Sequence, residues 1–220
     1  MKFNWDNIVF QMLGKLVDCV WVSILWVICC IPVFTIGAST TALYYTVHKS
    51  IRGDRGYTTR TFFGAFRDNF KAATLLRPTP LPYLIWLAVM IILGCDAYIT
   101  YQVLKTGSMK GAFFYFFLIM IAVAIMWSAF LFPYIARFEN TVKQTLKNAF
   151  LLMIRHLPWA LLLLVILIAS ALSIYIIPVL LVVIPAVASI VFDFILERLF
   201  RRYMSPEDLA REEENDMYAS

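Results

Sequence analysis

The chain of 220 residues is 62% hydrophobic and 15% charged, and its formal net charge is +5. Soluble domains are about 45–50% apolar and about 25% charged, so this composition excludes a soluble globular protein and indicates an integral membrane protein. In such a chain the basic residues first set the orientation in the bilayer, and we expect no nucleic-acid partner. The four cysteines all fall in apolar runs, which favours buried small side chains over a disulfide framework or a metal site.

Apolar segments long enough to cross about 30 Å of hydrocarbon recur along the chain and predict an all-α, polytopic membrane protein. We expect one helical domain over residues 1–204, without a removable signal peptide, followed by a polar, acidic tail over residues 205–220. Five spans are clear and the second of the six is short or re-entrant; in chain order they are residues 12–33, 34–50, 81–103, 112–136, 158–176 and 178–198.

The short segment 34–50 begins just after Pro32, which is expected to end the first helix. Gly37 permits a sharp change of direction, and the hydroxyl of Thr35 or Ser39 is predicted to cap the start of the next helix. The alternative is a helix that lies on the cytoplasmic surface, which leaves five spans.

The positions of lysine and arginine separate these topologies, because cytoplasmic loops carry the excess of basic residues. Of the 19 basic residues, a five-span chain would leave Lys2, Lys15, Lys105 and Lys110 outside. A six-span chain leaves only Lys105 and Lys110 outside. The charge distribution therefore favours six spans with both termini in the cytoplasm.

Two polar segments carry apolar residues at helical spacing and predict amphipathic helices at the cytoplasmic surface. Either helix could lie on lipid or dock a partner, and the bilayer is the default partner. The apolar residues are Phe62, Phe66 and Phe70 in the first segment, and Val142, Leu146, Ala149 and Met153 in the second.

Ionisable residues inside apolar runs are candidates for function because they are costly in hydrocarbon. Asp18 and Asp193 lie near the ends of predicted spans and favour structural roles, whereas Asp96 lies deeper and is the candidate polar intramembrane site. His48 and His156 each stand beside a basic residue at a membrane boundary and favour an interfacial role. We predict no enzyme, no catalytic residue, no cofactor and no metal.

The stretch "LWVICCIPVFTIGASTTALYY" resembles the YesL family of bacterial membrane proteins, which is classed as a domain of unknown function. A second stretch, "FFGAFRDNFKAA", is similar to a phenylalanine-rich segment of that family. One departure is Ser23, where many relatives carry asparagine. The residues that match the family motif are Trp26, Pro32, Thr35, Ile36, Gly37, Ala38, Thr41, Ala42, Leu43, Tyr44 and Tyr45.

The resemblance implies a bacterial plasma-membrane protein associated with carbohydrate ABC importers. Permeases of such importers carry a cytoplasmic loop that begins with Glu-Ala-Ala and ends with Leu-Pro. Here the corresponding stretch begins at Glu139 and ends at Leu157 and Pro158, but Asn140 and Thr141 replace the alanines. These residues are the candidate docking site for an importer ATPase or permease, and a plain interfacial helix is the alternative.

The leading hypothesis is therefore a non-enzymatic accessory or permease-like component of carbohydrate ABC import. The alternative is a structural or regulatory membrane protein that binds a partner through its cytoplasmic helices. A third hypothesis is a small transporter or channel that uses Asp96.

Overall fold

The structure is a computed structural model, and it describes residues 5–53, 56–71, 80–105, 113–138 and 141–204. All regular structure in these ranges is helical, which confirms the predicted all-α class. The α-helices are α1 (Trp5–Cys30), α2 (Ile36–Thr46), α3 (Thr58–Lys71), α4 (Pro80–Lys105), α5 (Phe113–Arg137), α6 (Val142–Arg155), α7 (Leu157–Ile176) and α8 (Ile184–Phe200). The predicted tail 205–220 lies outside the described residues.

Four stretches are long and apolar enough to cross a membrane, by length and composition: Met12–Cys30, Leu84–Lys105, Phe113–Arg137 and Leu157–Ile176. The protein is thus a multi-pass helical membrane protein. Residues 34–50 and 178–198 fall mainly in α2 and α8, which have 11 and 17 residues. Crossing by these two segments stays a prediction.

The chain divides into two compact units, of which the first comprises Met1–Asn69 and Leu167–Ser220. In this unit α1, α2, α3 and α8 surround a shared apolar core. Alanines from α2 and α8 are fully buried there, which lets helix backbones approach closely. The core residues are Cys19, Val22, Leu25, Ala42, Leu43, Val47, Ile51, Phe62, Ala65 and Ala186.

The reversal between α1 and α2 depends on hydroxyl groups. α1 ends at Cys30, and a short 3₁₀ turn over Val33–Thr35 leads into α2. The Thr35 hydroxyl contacts the carbonyl oxygens of Cys29 and Pro32, and the Ser39 hydroxyl donates to the carbonyl of Cys29 over 2.9 Å. These side chains therefore satisfy carbonyl groups at the end of α1, where helices leave them unpaired, rather than capping the start of α2 as predicted.

The amphipathic helix α3 packs on its own chain. Phe62 is fully buried in the core of the first unit, and Ala65 is buried beside it. At the start of the helix the indole nitrogen of Trp21 donates to the Thr59 hydroxyl over 2.8 Å. The apolar face around Phe62 thus contacts protein, which corrects the default assignment of this face to lipid; the side chain of Phe70 lies outside the described part.

The second unit, Phe70–Ile166, contains α4, α5, α6 and the first half of α7. Trp86 of α4 meets Phe132 of α5 edge to face, with ring centroids 5.0 Å apart. Helix α6 packs on α5, and its Asn148 amide donates to the Tyr134 hydroxyl over 3.1 Å. At its start, the backbone N–H of Thr141 donates to the Gln144 side chain in a capping box.

Candidate functional site

A π-helical segment at the end of α2 positions a histidine and an arginine side chain. It covers Val47–Arg52 and ends where the N–H of Gly53 donates to the His48 carbonyl over 3.1 Å. A Cβ on Gly53 would lie 2.8 Å from the Lys49 carbonyl oxygen, so the close approach requires glycine. Single π-helical turns are rare and often occur at functional sites. Here the turn places His48 and Arg52 one above the other.

Both side chains bind the same carboxylate, that of Asp193 in α8. The His48 Nδ1 atom lies 2.8 Å from Asp193 Oδ1, and Arg52 Nη1 donates to Asp193 Oδ2 over 2.7 Å. Asp193 is 0% exposed, whereas the side chains of His48 and Arg52 are 21% and 36% exposed. Each carboxylate oxygen therefore has its own charge-assisted or polar partner, as a buried carboxylate requires.

A second carboxylate, Glu197, lies one helical turn further along α8 and is also buried. Its Oε2 atom lies 3.8 Å from His48 Nδ1, and its Oε1 atom lies 3.7 Å from Nε of Arg201. The Arg52 guanidinium also covers the ring of Phe194 at 4.2 Å from its centroid. The cluster thus brings two carboxylates of α8 together with the imidazole of His48 and the guanidinium groups of Arg52 and Arg201 in the first unit.

The donor set of His48, Asp193 and Glu197 has the composition of a metal site, since one ligand atom from each lies within 4.8 Å of the others. The geometry instead describes an ion-paired network. The short His48–Asp193 contact is a hydrogen bond, and Arg52 already neutralises Asp193. A divalent cation would have to break the first contact and sit beside a guanidinium group.

The residues predicted from the sequence lie elsewhere. Asp96 is half-buried in α4, where its backbone carbonyl accepts a hydrogen bond of 2.8 Å from the Thr100 hydroxyl. Leu157 and Pro158 are exposed at the start of α7. Glu139 lies outside the described residues.

The family-motif residues line the interior of the first unit. Pro32 is exposed, and the indole nitrogen of Trp26 donates to the Thr40 hydroxyl over 3.3 Å. Ile36 and Tyr45 are half-buried. The buried members are Thr35, Gly37, Ala38, Thr41, Ala42, Leu43 and Tyr44. The motif therefore supplies a packing surface that also holds the π-helical segment in place.

Sequence reasoning missed the pairing of His48 with Asp193, because each residue was interpreted alone as an interfacial side chain. The two are 145 residues apart, so no local spacing reveals the contact. The available signal was electrostatic: a carboxylate in an apolar run needs a cationic partner, and His48 and Arg52 stand four residues apart at the end of another apolar run.

Comparison with known families supports the predicted resemblance. The family model described as "Protein of unknown function, DUF624" matches residues 19–97, and the YesL proteins are classed in it. The matched segment contains the whole predicted motif together with His48 and Arg52, whereas Asp193 and Glu197 lie beyond it. No curated protein and no solved structure gives a significant match.

Proposed function

We propose that this protein is a non-enzymatic accessory or permease-like component of carbohydrate ABC import in a bacterial plasma membrane. The multi-pass helical architecture and the family match support a membrane component, and the resemblance to the YesL family supplies the carbohydrate context. One observation carries the docking part of the proposal. Leu157, at the junction of α6 and α7, is 47% exposed beside the exposed Pro158, so the described part of the chain leaves both open to a partner at the membrane boundary, which we propose is an importer ATPase or permease.

Copurification tests this proposal. The full chain carries an affinity tag, membranes are solubilised in mild detergent, and the proteins recovered are identified by mass spectrometry. We expect an importer ATPase or permease in the eluate, with recovery lost in Leu157→Ala combined with Pro158→Ala. The matched control is Leu172→Ala, which truncates another exposed leucine of α7 and should leave recovery unchanged.

Two results would contradict the proposal. One is the absence of any importer subunit together with unchanged sugar uptake in a deletion strain. The other is an equal effect of the Leu157 and Leu172 variants, which would show that exposed leucines are required only for solubility in lipid. For the proposed topology, a reporter fused at residue 8 should report a cytoplasmic N-terminus.

A second candidate function, a structural or regulatory membrane protein, is favoured by the cluster of Asp193 with His48 and Arg52. Both oxygens of Asp193 are engaged by side chains of the same chain, as expected for a residue that fixes helix positions rather than one that carries a substrate. This protein would still bind a partner but would have no role in uptake. Copurification of a membrane protein unrelated to import, with normal sugar uptake in the deletion strain, would select it.

A further inference from the structure

Helix α6 has two faces of different character. Its inner face packs on the second unit, where Thr145, Ala149, Leu152 and Met153 are buried. The stripe predicted from periodicity to meet lipid includes Ala149 and Met153, so that stripe in fact contacts protein. The surface available to an external partner is therefore the opposite face.

The opposite face changes from basic to apolar along the helix. Lys143, Lys147, Phe150 and Ile154 stand at i, i+4, i+7 and i+11, which places them on one stripe. All four are exposed, although one edge of the Phe150 ring contacts Trp127 of α5, and Leu151 extends the exposed apolar surface beside them. The first half of the stripe thus offers two ammonium groups, and the second half offers a large apolar patch.

The connections of α6 decide what covers this stripe. The helix is too polar to span, yet it follows α5 after four residues and precedes α7 after one residue. Since α5 and α7 are both long and apolar enough to cross a membrane, the two ends of α6 lie on the same side of it. Its 14 residues form a rod of about 21 Å, and the Phe150 ring meets Trp127 of α5 edge to face with centroids 6.3 Å apart, so the apolar half of the rod lies beside a membrane-spanning candidate.

We propose that the outer stripe of α6 is a membrane-interface contact, in which Phe150 and Ile154 enter the acyl region while Lys143 and Lys147 bind anionic phospholipid headgroups. The apolar half contacts Trp127, ten residues before the end of α5, so it lies deeper in the bilayer than the basic end. Basic residues near an anionic membrane surface are attracted to its headgroups. This inference does not rest on the proposed role in carbohydrate import.

Photo-crosslinking in the full-length protein tests the inference. A benzophenone amino acid replaces Phe150, Ile154 or Lys143 in turn, native membranes are irradiated, and the adducts are identified by intact mass. We expect phospholipid adducts at positions 150 and 154, at least about fivefold more abundant than at position 143, because the acyl chains lie at the apolar end. Position 150 replaces one aromatic side chain by another, so it carries the test if the variant at 154 fails to fold.

The headgroup contact is tested by the composition of the adducts. With lysines present, adducts at position 150 should be enriched at least about twofold in anionic phospholipid relative to the whole membrane, and Lys143→Gln with Lys147→Gln should abolish the enrichment. Protein-sized adducts at both 150 and 154 would overturn the proposal in favour of a protein partner or a second copy of the chain. Equal lipid yields at 143 and 154, or no anionic enrichment with both lysines in place, would also overturn it.

Discussion

Replacing Asp193 by asparagine tests whether the buried cluster holds α8 in place. The carboxylate is 0% exposed and receives contacts of 2.8 Å from His48 and 2.7 Å from Arg52. Asparagine has nearly the same shape, but it loses the negative charge and presents an N–H₂ group to one of the two partners. Breaking a buried ion pair by removing one partner costs about 3–5 kcal/mol. Because Arg52 is 36% exposed and can reach water, we expect a loss of about 2–4 kcal/mol in the free energy of unfolding.

The assay is unfolding of the full-length protein in mixed detergent micelles, followed by the fluorescence of its six tryptophans. Asp96→Asn is the matched control, because it removes the same charge from a half-buried position in α4. We expect this control to lower the free energy of unfolding by less than about 0.5 kcal/mol, because substitutions away from buried networks usually have effects of that size.

A double-mutant cycle with Arg52→Gln isolates the ion pair itself. Contacting residues in one network show coupling energies of about 0.5–3 kcal/mol, and we expect Asp193→Asn and Arg52→Gln to fall in this range. Additive effects, or equal losses for Asp193→Asn and Asp96→Asn, would refute the reasoning, since the carboxylate of Asp193 would then contribute no more to stability than that of Asp96.

Two matched pairs of substitutions test the surroundings of the cluster in the same assay. Gly53→Ala should lower the free energy of unfolding by about 1–3 kcal/mol, because its Cβ would lie 2.8 Å from the Lys49 carbonyl oxygen. Gly64→Ala should raise it by about 0.5–1 kcal/mol, because the α3 interior has open space there and alanine favours helix. Phe62→Ala should cost about 3–5 kcal/mol, and Phe63→Ala, on the exposed side, less than about 1 kcal/mol. Equal effects within either pair would contradict the packing described.

The helical class and the four long apolar helices could be predicted from the sequence because hydrophobic length is a one-dimensional property. A run such as Leu157–Ile176 needs no tertiary information to be identified as long enough for a bilayer. Hydrophobic length does not predict where the shorter segments lie. Residues 34–50 form helix that is buried on most sides, and that burial depends on α1 and α8 rather than on the length of the segment.

The orientation of amphipathic faces could not be predicted, because an apolar stripe in a membrane protein has two possible partners. Lipid tails are as apolar as leucine, so the sequence alone does not distinguish a face that packs on protein from one that meets the bilayer. Phe62 and Met153 both belong to stripes predicted to lie on lipid, and both are buried in their own unit. Periodicity identified the stripes but not the surfaces that cover them.

The cluster could not be predicted for a further reason: its geometry depends on a change of helix type. His48 and Arg52 reach Asp193 from a π-helical turn, and a hydropathy pattern contains no signal for that turn. Gly53, which permits the close backbone approach, is the local residue that could have indicated irregular structure there. Its position after an apolar run was consistent with an ordinary helix end.

Two polar contacts hold α8 against α1 and the π-helical segment after α2, and they lie at different positions along α8. In the first turn of α8, the backbone N–H of Ala186 donates to the Ser23 hydroxyl over 3.2 Å, and two turns later Asp193 binds His48 and Arg52. Close packing of small residues brings these helices together in lipid, and the two separated polar contacts further restrict translation and rotation of α8. The partners in α8 lie beyond the matched residues 19–97, so the packed unit that contains the motif also includes α8.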